Sequence, residues 1–309
     1  MSAVYRRERQ PAVSQPDTSS RVGVVIATRD RPALLQRTLD HVTRLPERPP
    51  VVVVDNASTD RAVRRVARGH PGVTLIALKS NIGAAARTVG VRALSTPYVA
   101  FADDDSWWSP GALCRAAELL ERDPSIGLVA ARILVGTDER LDPTSALMRN
   151  SPLARRDGRS EPRVLGFLAC GSIVRRDAYL HVGGFHPRFG TGAEETLLAM
   201  DLATAGYDIV YSDDVVAHHL PAARTYDGRD RDALRNALWT TWLRCPTRDV
   251  ARRTVSLAAR VLRHPHLVNG VVEALAGLGW VVRERRTLPR HVAEELRLLD
   301  SWRPRDRTA

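Results

Sequence analysis

Between Arg21 and Asp123 the chain repeats one pattern four times: a short β-branched run, then a stretch with helical spacing. The runs are Val22 to Ile26, Val51 to Val54, Val73 to Leu78 and Tyr98 to Ala102. Each is apolar throughout instead of alternating with polar residues, which requires cover on both faces. The segments between them carry helix signals. Pro32 suits a first helical turn ahead of Leu34, Leu35, Leu39 and Val42, and Ser58 or Thr59 reads as the cap of a second helix. A third helix runs from about Gly83 to Leu94, and Ser109-Pro110 opens a fourth that ends before Pro124. Four such units dictate an α/β fold with a central, mostly parallel sheet between helical layers.

Further along, Ile126 to Val135 reads as a strand, and Val164 to Val174 regains strand character. Residues 138–163 are polar and hold Pro143, Pro152, Gly158 and Pro162; they read as a long loop, a feature usually tied to function or disorder. Gly183-Gly184-Phe185 marks a turn, Ala193 to Ala205 a short helix with Leu197, Leu198 and Leu202 inward, and Tyr207 to Val216 one or two short strands. After His218-His219-Leu220-Pro221 only helical patterns follow, from about Asp230 to Trp302. The division expected is a disordered arm over 1–20, a nucleotide-binding domain over 21–221 and a helical region over 222–309.

Charge narrows the partners. The formal net charge is +11, nearly all of it arginine, since Lys79 is the sole lysine. From Pro221 onward 18 arginines face 10 acidic residues. Such a surface attracts nucleic acid, anionic lipid or phosphorylated substrates. No helix-turn-helix, zinc-finger or RNA-binding signature accompanies it, so nucleic acid is not expected as a partner. Cys114, Cys170 and Cys245 are scattered and odd in number, which fits a reducing compartment. Met1 to Ser20 lacks the apolar centre of a signal peptide, and no uncharged apolar run is long enough to span a bilayer. A cytoplasmic location is expected, with the inner membrane surface as a peripheral site.

Chemistry concentrates at strand ends. The fourth run leads directly into Asp103-Asp104-Asp105, three like charges that gain nothing from packing together. Hard divalent cations prefer carboxylate and phosphate oxygens, so Mn²⁺ or Mg²⁺ bridging to a diphosphate accounts for the cluster. The carboxyl end of a parallel strand is also where α/β sheets bind ligands. Asp55 ends the second run in the same way and suits a ribose or base. Asn81-Ile82-Gly83-Ala84-Ala85-Ala86-Arg87 opens the third helix with small residues that let a ligand approach the backbone, and Arg87 suits a diphosphate or base carbonyl. Glu194-Glu195 stands at a helix start, where the dipole favours ionised carboxylates; an Asp or Glu serves as a general base. His218-His219 ends a strand and offers neutral imidazoles to a metal or phosphate.

In order, Val24-Val25-Ile26-Ala27-Thr28-Arg29-Asp30-Arg31-Pro32, Val54-Asp55-Asn56-Ala57-Ser58, Asn81-Ile82-Gly83 with Arg87, Asp103-Asp104-Asp105, Gly183-Gly184-Phe185, Glu194-Glu195 and His218-His219 resemble a family-2 glycosyltransferase with the GT-A nucleotide-sugar fold. The resemblance covers roughly residues 21–221. It implies an inverting transfer from a nucleotide-sugar donor to a carbohydrate, lipid-linked or small-molecule acceptor, with Mn²⁺ or Mg²⁺. It places Ala27, Thr28, Arg29, Asp55, Asn81, Gly83, Arg87, Asp103 and Asp104 at the donor. Asp105, the last residue of a DxD-type motif, falls on the metal, with Asp103, His218 or His219 beside it. Glu195 matches the usual base, and Glu194 is its neighbour.

Three departures stand out: Ala27 replaces a common proline, the usual Glu-Asp pair is Glu-Glu, and Met200-Asp201 occupies the region of an arginine later in that helix. Against the rival classes, the turn after the first strand has no glycine-rich phosphate loop, as a nucleotidyltransferase would carry, and no GxGxxG of a dinucleotide-dependent oxidoreductase. A non-catalytic relative that only binds would not need intact acidic motifs. Two readings stand for His266 to Val282: the core helix of a small bundle, or a helix lying on an anionic membrane. The segment Arg235 to Trp239 is a candidate for closing over the donor.

Overall fold

The computed structural model describes residues 5–7 (backbone only), 20–155, 158–221 and 228–302. The four repeated runs are β2 (Val22–Thr28), β3 (Val51–Asp55), β4 (Val73–Leu78) and β5 (Tyr98–Asp103), all parallel to one another. The order across the sheet is β4-β3-β2-β5, so the chain moves outward from β2 and then returns to its other side. That reversal opens a crevice at the carboxyl ends of β2 and β5, where α/β sheets take ligands. Helices α1 (Pro32–Val42), α2 (Ala62–Arg68), α3 (Ala86–Ala93) and α4 (Ala112–Arg122) cover the two faces. Val24, Ile26, Val51 and Val53 pack into one core, whereas Val25, Val52 and Val54 pack into the other. This is why the strands are apolar throughout.

Beyond β5 the sheet continues with β10 (Ser172–Arg175), β7 (Ile126–Val135), β11 (Asp208–His219) and, at its edge, β6 (Ser106–Trp108). β10 is antiparallel to β5 and β7, whereas β11 runs parallel to β7. The sheet curls, because β6 leaves the acidic turn directly after β5 and yet pairs with β11, three places from β5. A break in register between Ser212 and Val216 of β11 supplies local bend. Of Tyr207 to Val216, expected as one or two short strands, all but Tyr207 belong to a single strand of 12 residues, Asp208–His219.

Several local expectations are corrected. Ser58 and Thr59 do not cap α2; Asp60 accepts from the Ala62 N–H, and both hydroxyl residues bind Asp30 instead. Ser109 does not cap α4 through its side chain, for its hydroxyl goes to His218 and Gly111, at φ 85°, precedes the helix. The stretch 138–163 is not one loop. It holds β8 (Arg140–Leu141), α5 (Pro143–Arg149) and the start of β9 (Arg163–Val164). Asp142 caps α5 by accepting from the Thr144 and Ser145 N–H groups at 2.7 and 3.3 Å, and Pro143 begins it. Arg159 pins the returning chain to Asp208 (2.6 Å) and Asp123 (2.7 Å). Within the arm expected over 1–20, Tyr5–Arg7 form β1, antiparallel to β4; its other residues except Ser20 lie outside the described residues.

α6 (Arg176–His181) and α7 (Glu194–Thr204) complete the sheet's cover. The remaining elements are α8 (Arg229–Arg244), α9 (Thr247–Ala258), α10 (Arg260–Arg263), α11 (Val268–Ala276), α12 (Leu278–Glu284) and α13 (Arg290–Ser301). A third core joins Leu234, Leu238, Trp239, Trp242, Ala274, Trp280 and Val281 to Phe189 and Leu197 of the sheet domain. A fourth joins α13, through Val292 and Ala293, to Met200 of α7. The helical region is thus packed on the segment that carries Glu194 and Glu195.

Candidate active site

The register sets Ala27 beside Asp103 and Thr28 beside Asp55. The three aspartates then diverge. Asp103 faces the Arg87 guanidinium in a short ion pair. Asp104 turns inward, where it accepts from Thr28 Oγ1 at 2.8 Å and meets Arg31 at 3.3 Å, while its carbonyl takes the Thr38 hydroxyl. Burial, with Asp103 and Asp105 adding repulsion, outweighs those bonds and lifts the Asp104 carboxyl to about 6. Asp105 lies 3.4 Å from His219 Nε2 and 3.9 Å from Arg31. The hydrogen bond to Asp105 raises the His219 pKa against its own burial.

Adjacent strand residues point to opposite faces, and this separates the two histidines. His219 reaches Asp105. His218 accepts or donates at Ser109 Oγ (2.7 Å), lies 3.2 Å from Glu139 and stacks on Trp107, which stacks in turn on His41. Among the described residues, no group of three or more His, Cys, Asp or Glu side chains is gathered for a metal. Asp105 and His219 nevertheless make a carboxylate and imidazole pair suited to Mn²⁺ or Mg²⁺ if a diphosphate supplies the other oxygens. The donor set fits the ion; Asp103, tied to Arg87, and His218 stand apart from it.

Other positions are held by the protein itself. Asp55 is fully buried; one oxygen accepts from the Ser58 N–H at 2.8 Å and the other from Arg64 Nε at 2.6 Å. Its neighbour Asn56, which the sequence did not single out, clamps the third turn by accepting from the Ile82 N–H and donating to the Gly83 carbonyl. Asn81 accepts from the Gly83 N–H in an Asx turn. Gly83 has φ 58°, and a Cβ there would lie 2.4 Å from Gly190 Cα, so backbone and not ligand approaches it. Arg29 is near-surface, 3.5 Å from Asp30, whose carboxylate ties the first turn to Thr59 and Asp60.

Arg87 joins the two halves of the site. It sits over the Phe185 ring at 5.6 Å, and its charge faces Asp103, Glu194 and Glu195. Burial opposes that charge, but the three carboxylates prevail and hold its pKa above the ordinary value. Glu194 and Glu195 begin α7 after Ala193, at φ 60°. Glu194 is buried with Oε2 lacking a partner, and Arg87 Nε likewise lacks one. Burial raises the pKa of both glutamates; the charge of Glu195 adds to that of Glu194, and Arg87 pulls both back. Glu195 is half-buried and receives the Ala169 N–H. Cys170, next in chain, faces Asp103 and Glu195, so burial and these charges push its thiol well up.

No local sequence signal marks how this segment is positioned. Asn236 of α8, fully buried, donates its amide to the carbonyls of Phe189 and Gly192, both at 2.6 Å. The Gly190 carbonyl of the same loop accepts from the Ala84 N–H at 2.7 Å. Arg235 to Trp239 is therefore a core stretch of α8, not a cover over the donor. Arg244 of α8 reaches Asp201, the residue standing in the region of the missing arginine.

A family model described as glycosyl transferase family 2 matches residues 23–183, just over half of the chain. The chain belongs to glycosyl transferase family 2. It is a glycosyltransferase with the GT-A-like fold. It is similar to the N-acetylglucosaminyl-diphospho-decaprenol L-rhamnosyltransferase of Mycobacterium tuberculosis, 29% identical over 63% of this chain and 74% of that one. A mannosyltransferase of Pyrobaculum calidifontis, solved with GDP-Man and Mn²⁺, superposes with a TM-score of 0.57 at 22% identity, covering 96% of this chain and 85% of that one. GalNAc-T7, solved with UDP, GalNAc and Mn²⁺, superposes at 0.59 with 14% identity over 75% of this chain; the match spans about half, 49%, of that chain. These two structures support the fold.

Proposed function

We propose that this glycosyltransferase moves a glycosyl group from a nucleotide-diphosphate sugar to an acceptor hydroxyl by a single inverting displacement. The observation that carries the reading is the Arg87 bridge, which sets a donor-side carboxylate, Asp103, against the Glu194-Glu195 pair. Glu195 is the better placed base: it keeps some exposure, whereas Glu194 is buried with an oxygen unpaired. Burial raises its pKa, which suits a group that must take a proton. Burial, with the Asp103 charge, keeps that affinity high, and Arg87 offsets part of the rise.

Asp105 and His219 would hold Mn²⁺ or Mg²⁺ as the last carboxylate of a DxD-type motif and its imidazole partner. Such an ion neutralises charge on a departing diphosphate. Asp104 fixes Thr28, Arg31 and Thr38 around the crevice, so the donor rests on a preformed floor. The acceptor is lipid-linked, a reading supported by the decaprenyl acceptor in the mycobacterial relative's name, and the enzyme works at the cytoplasmic face of the membrane. A panel of nucleotide sugars with Mn²⁺, read as nucleoside diphosphate release, tests the class and the donor. Glu195→Gln and Asp105→Ala should each lower turnover by about 10²–10⁴-fold with the fold intact. Unchanged turnover in either removes its role, and a product of retained anomeric configuration removes the single displacement.

A further inference from the structure

The large apolar side chains left exposed are unevenly distributed. Leu147 is the exception in the sheet domain; Val255, Leu262, Val268, Val272, Leu275, Leu278, Val282 and Leu298 all lie in the helical region. Val268, Val272, Leu275, Gly279 and Val282 recur at helical spacing along α11 and α12, giving one apolar stripe. Val282 is 70% exposed, Val272 58% and Leu275 51%, so among the described residues nothing covers the stripe.

The opposite sides of the same helices are anchored. Gly270 lies so close to α8 that a Cβ would be 2.7 Å from the Arg231 carbonyl, and Trp239 Nε1 donates to the Ala274 carbonyl at 3.1 Å. Among the described residues no single helix is long and apolar enough to cross a membrane, and the segments Pro265–Ala276 and Leu278–Glu284 meet at 54°. With one face buried on α8, this pair is built to lie along a surface.

Charge selects which surface. Arg260 and Arg263 stand at one end of the stripe, Arg283 and Arg286 at the other, and among the described residues none of the four forms an ion pair. The one acid between Val250 and Arg283 is Glu273, which is engaged by Arg235 at 2.8 Å. A second copy of this face would set arginine against arginine. An anionic bilayer satisfies both features, taking the apolar stripe below its headgroups and the arginines among its phosphates.

The geometry points to α10, α11 and α12 as a docking face for an anionic phospholipid bilayer, with Val268, Val272, Leu275 and Val282 inserted and Arg260, Arg263, Arg283 and Arg286 on the headgroups. The inference stands on this surface alone and does not depend on the identity of donor or acceptor. The test is flotation of the full chain with vesicles of phosphatidylcholine and phosphatidylglycerol, and with phosphatidylcholine alone, at physiological salt and without any sugar. Binding to the mixed vesicles should exceed binding to the neutral ones by about tenfold, and high salt should release it. Val272→Asp with Leu275→Asp, and separately Arg283→Glu with Arg286→Glu, should each lower binding by about tenfold or more. Both pairs should keep the wild-type melting curve and nucleoside diphosphate release. The proposal is overturned by absence of flotation with either vesicle, by binding that survives both pairs, or by salt-resistant integral insertion. It is also overturned if sedimentation shows a dimer that Val272→Asp with Leu275→Asp dissolves while vesicles capture nothing.

Discussion

Replacing Asn236 tests whether the helical region positions the acid-bearing loop. Its amide donates to two carbonyls, Phe189 and Gly192, each at 2.6 Å, in a place without solvent. Asn236→Ala strands both acceptors, and each buried unsatisfied group costs about 1–3 kcal/mol. Arg235 Nη2 still reaches the Phe189 carbonyl at 3.2 Å, so one loss is partly recovered. A net cost of about 2–4 kcal/mol follows, equal to a fall in melting temperature of roughly 3–6 °C for a chain of this size. The same loop leads into Ala193, Glu194 and Glu195, and a displacement of about 1 Å at a reacting group costs on the order of 10²-fold in rate. Asn236→Asp sharpens the test. It keeps the shape but turns acceptor oxygens toward carbonyl oxygens, so at neutral pH it should melt below the alanine variant and regain stability as acid protonates it. Melting by circular dichroism and turnover by nucleoside diphosphate release measure the two effects. An aspartate variant as stable and active as wild type would refute the donor argument, and one that melts early with full turnover would refute the positioning argument.

Three further outcomes are expected. Arg87→Gln removes the charge that pulls the Glu195 carboxyl back down; since the base acts only when deprotonated, the acid limb of kcat/KM should move to higher pH, and a limb unchanged or moved downward would count against the pairing. Gly83→Ala forces a side chain at φ 58° into the Gly190 backbone, which should cost about 2–4 kcal/mol from left-handed strain and overpacking together, seen as a lowered midpoint in urea with an unchanged slope. Arg159→Ala takes one of the guanidinium partners from buried Asp208, Arg163 remaining at 3.0 Å, and should cost about 1–3 kcal/mol. Burial raises the Asp123 carboxyl, but Ser125 and Arg159 outweigh it and hold it at about 2; its contribution is present above the unfolded value and lost as pH falls, so the variant should unfold at higher pH in acid titration.

The βα repeats and their continuous apolar strands were legible because a two-sided core leaves a direct mark on composition. So was the placement of Asp103 to Asp105, since a polar run after a buried strand has few structural uses. What the sequence could not display was direction. Asp104 and Asp105 are neighbours, yet one is buried on Thr28 and the other faces His219; His218 and His219 part in the same way through the pleat. Local signals misled where a tertiary partner competed for the group. The Ser109 hydroxyl goes to His218 and the Ser58 hydroxyl accepts from the Asp30 N–H, and the helices begin later, after Gly111 and Arg61. Asn236 left no signal, because a lone polar residue in a helix looks solvated until the loop it holds is placed beside it.

The break in register between Ser212 and Val216 acquires a meaning from the path of the sheet. β5 and β6 are joined only by Asp104 and Asp105, yet β10, β7 and β11 stand between them in the sheet. The acidic turn is therefore a clasp that closes a five-strand arc, and its span is dictated by how tightly the arc is wound. Inserting or deleting one residue in the β11 bulge would rewind that arc and move the carboxylates relative to Arg87 without altering any of them. Variation along 212–216 is thus a route by which relatives could retune the donor site from a distance, through curvature alone.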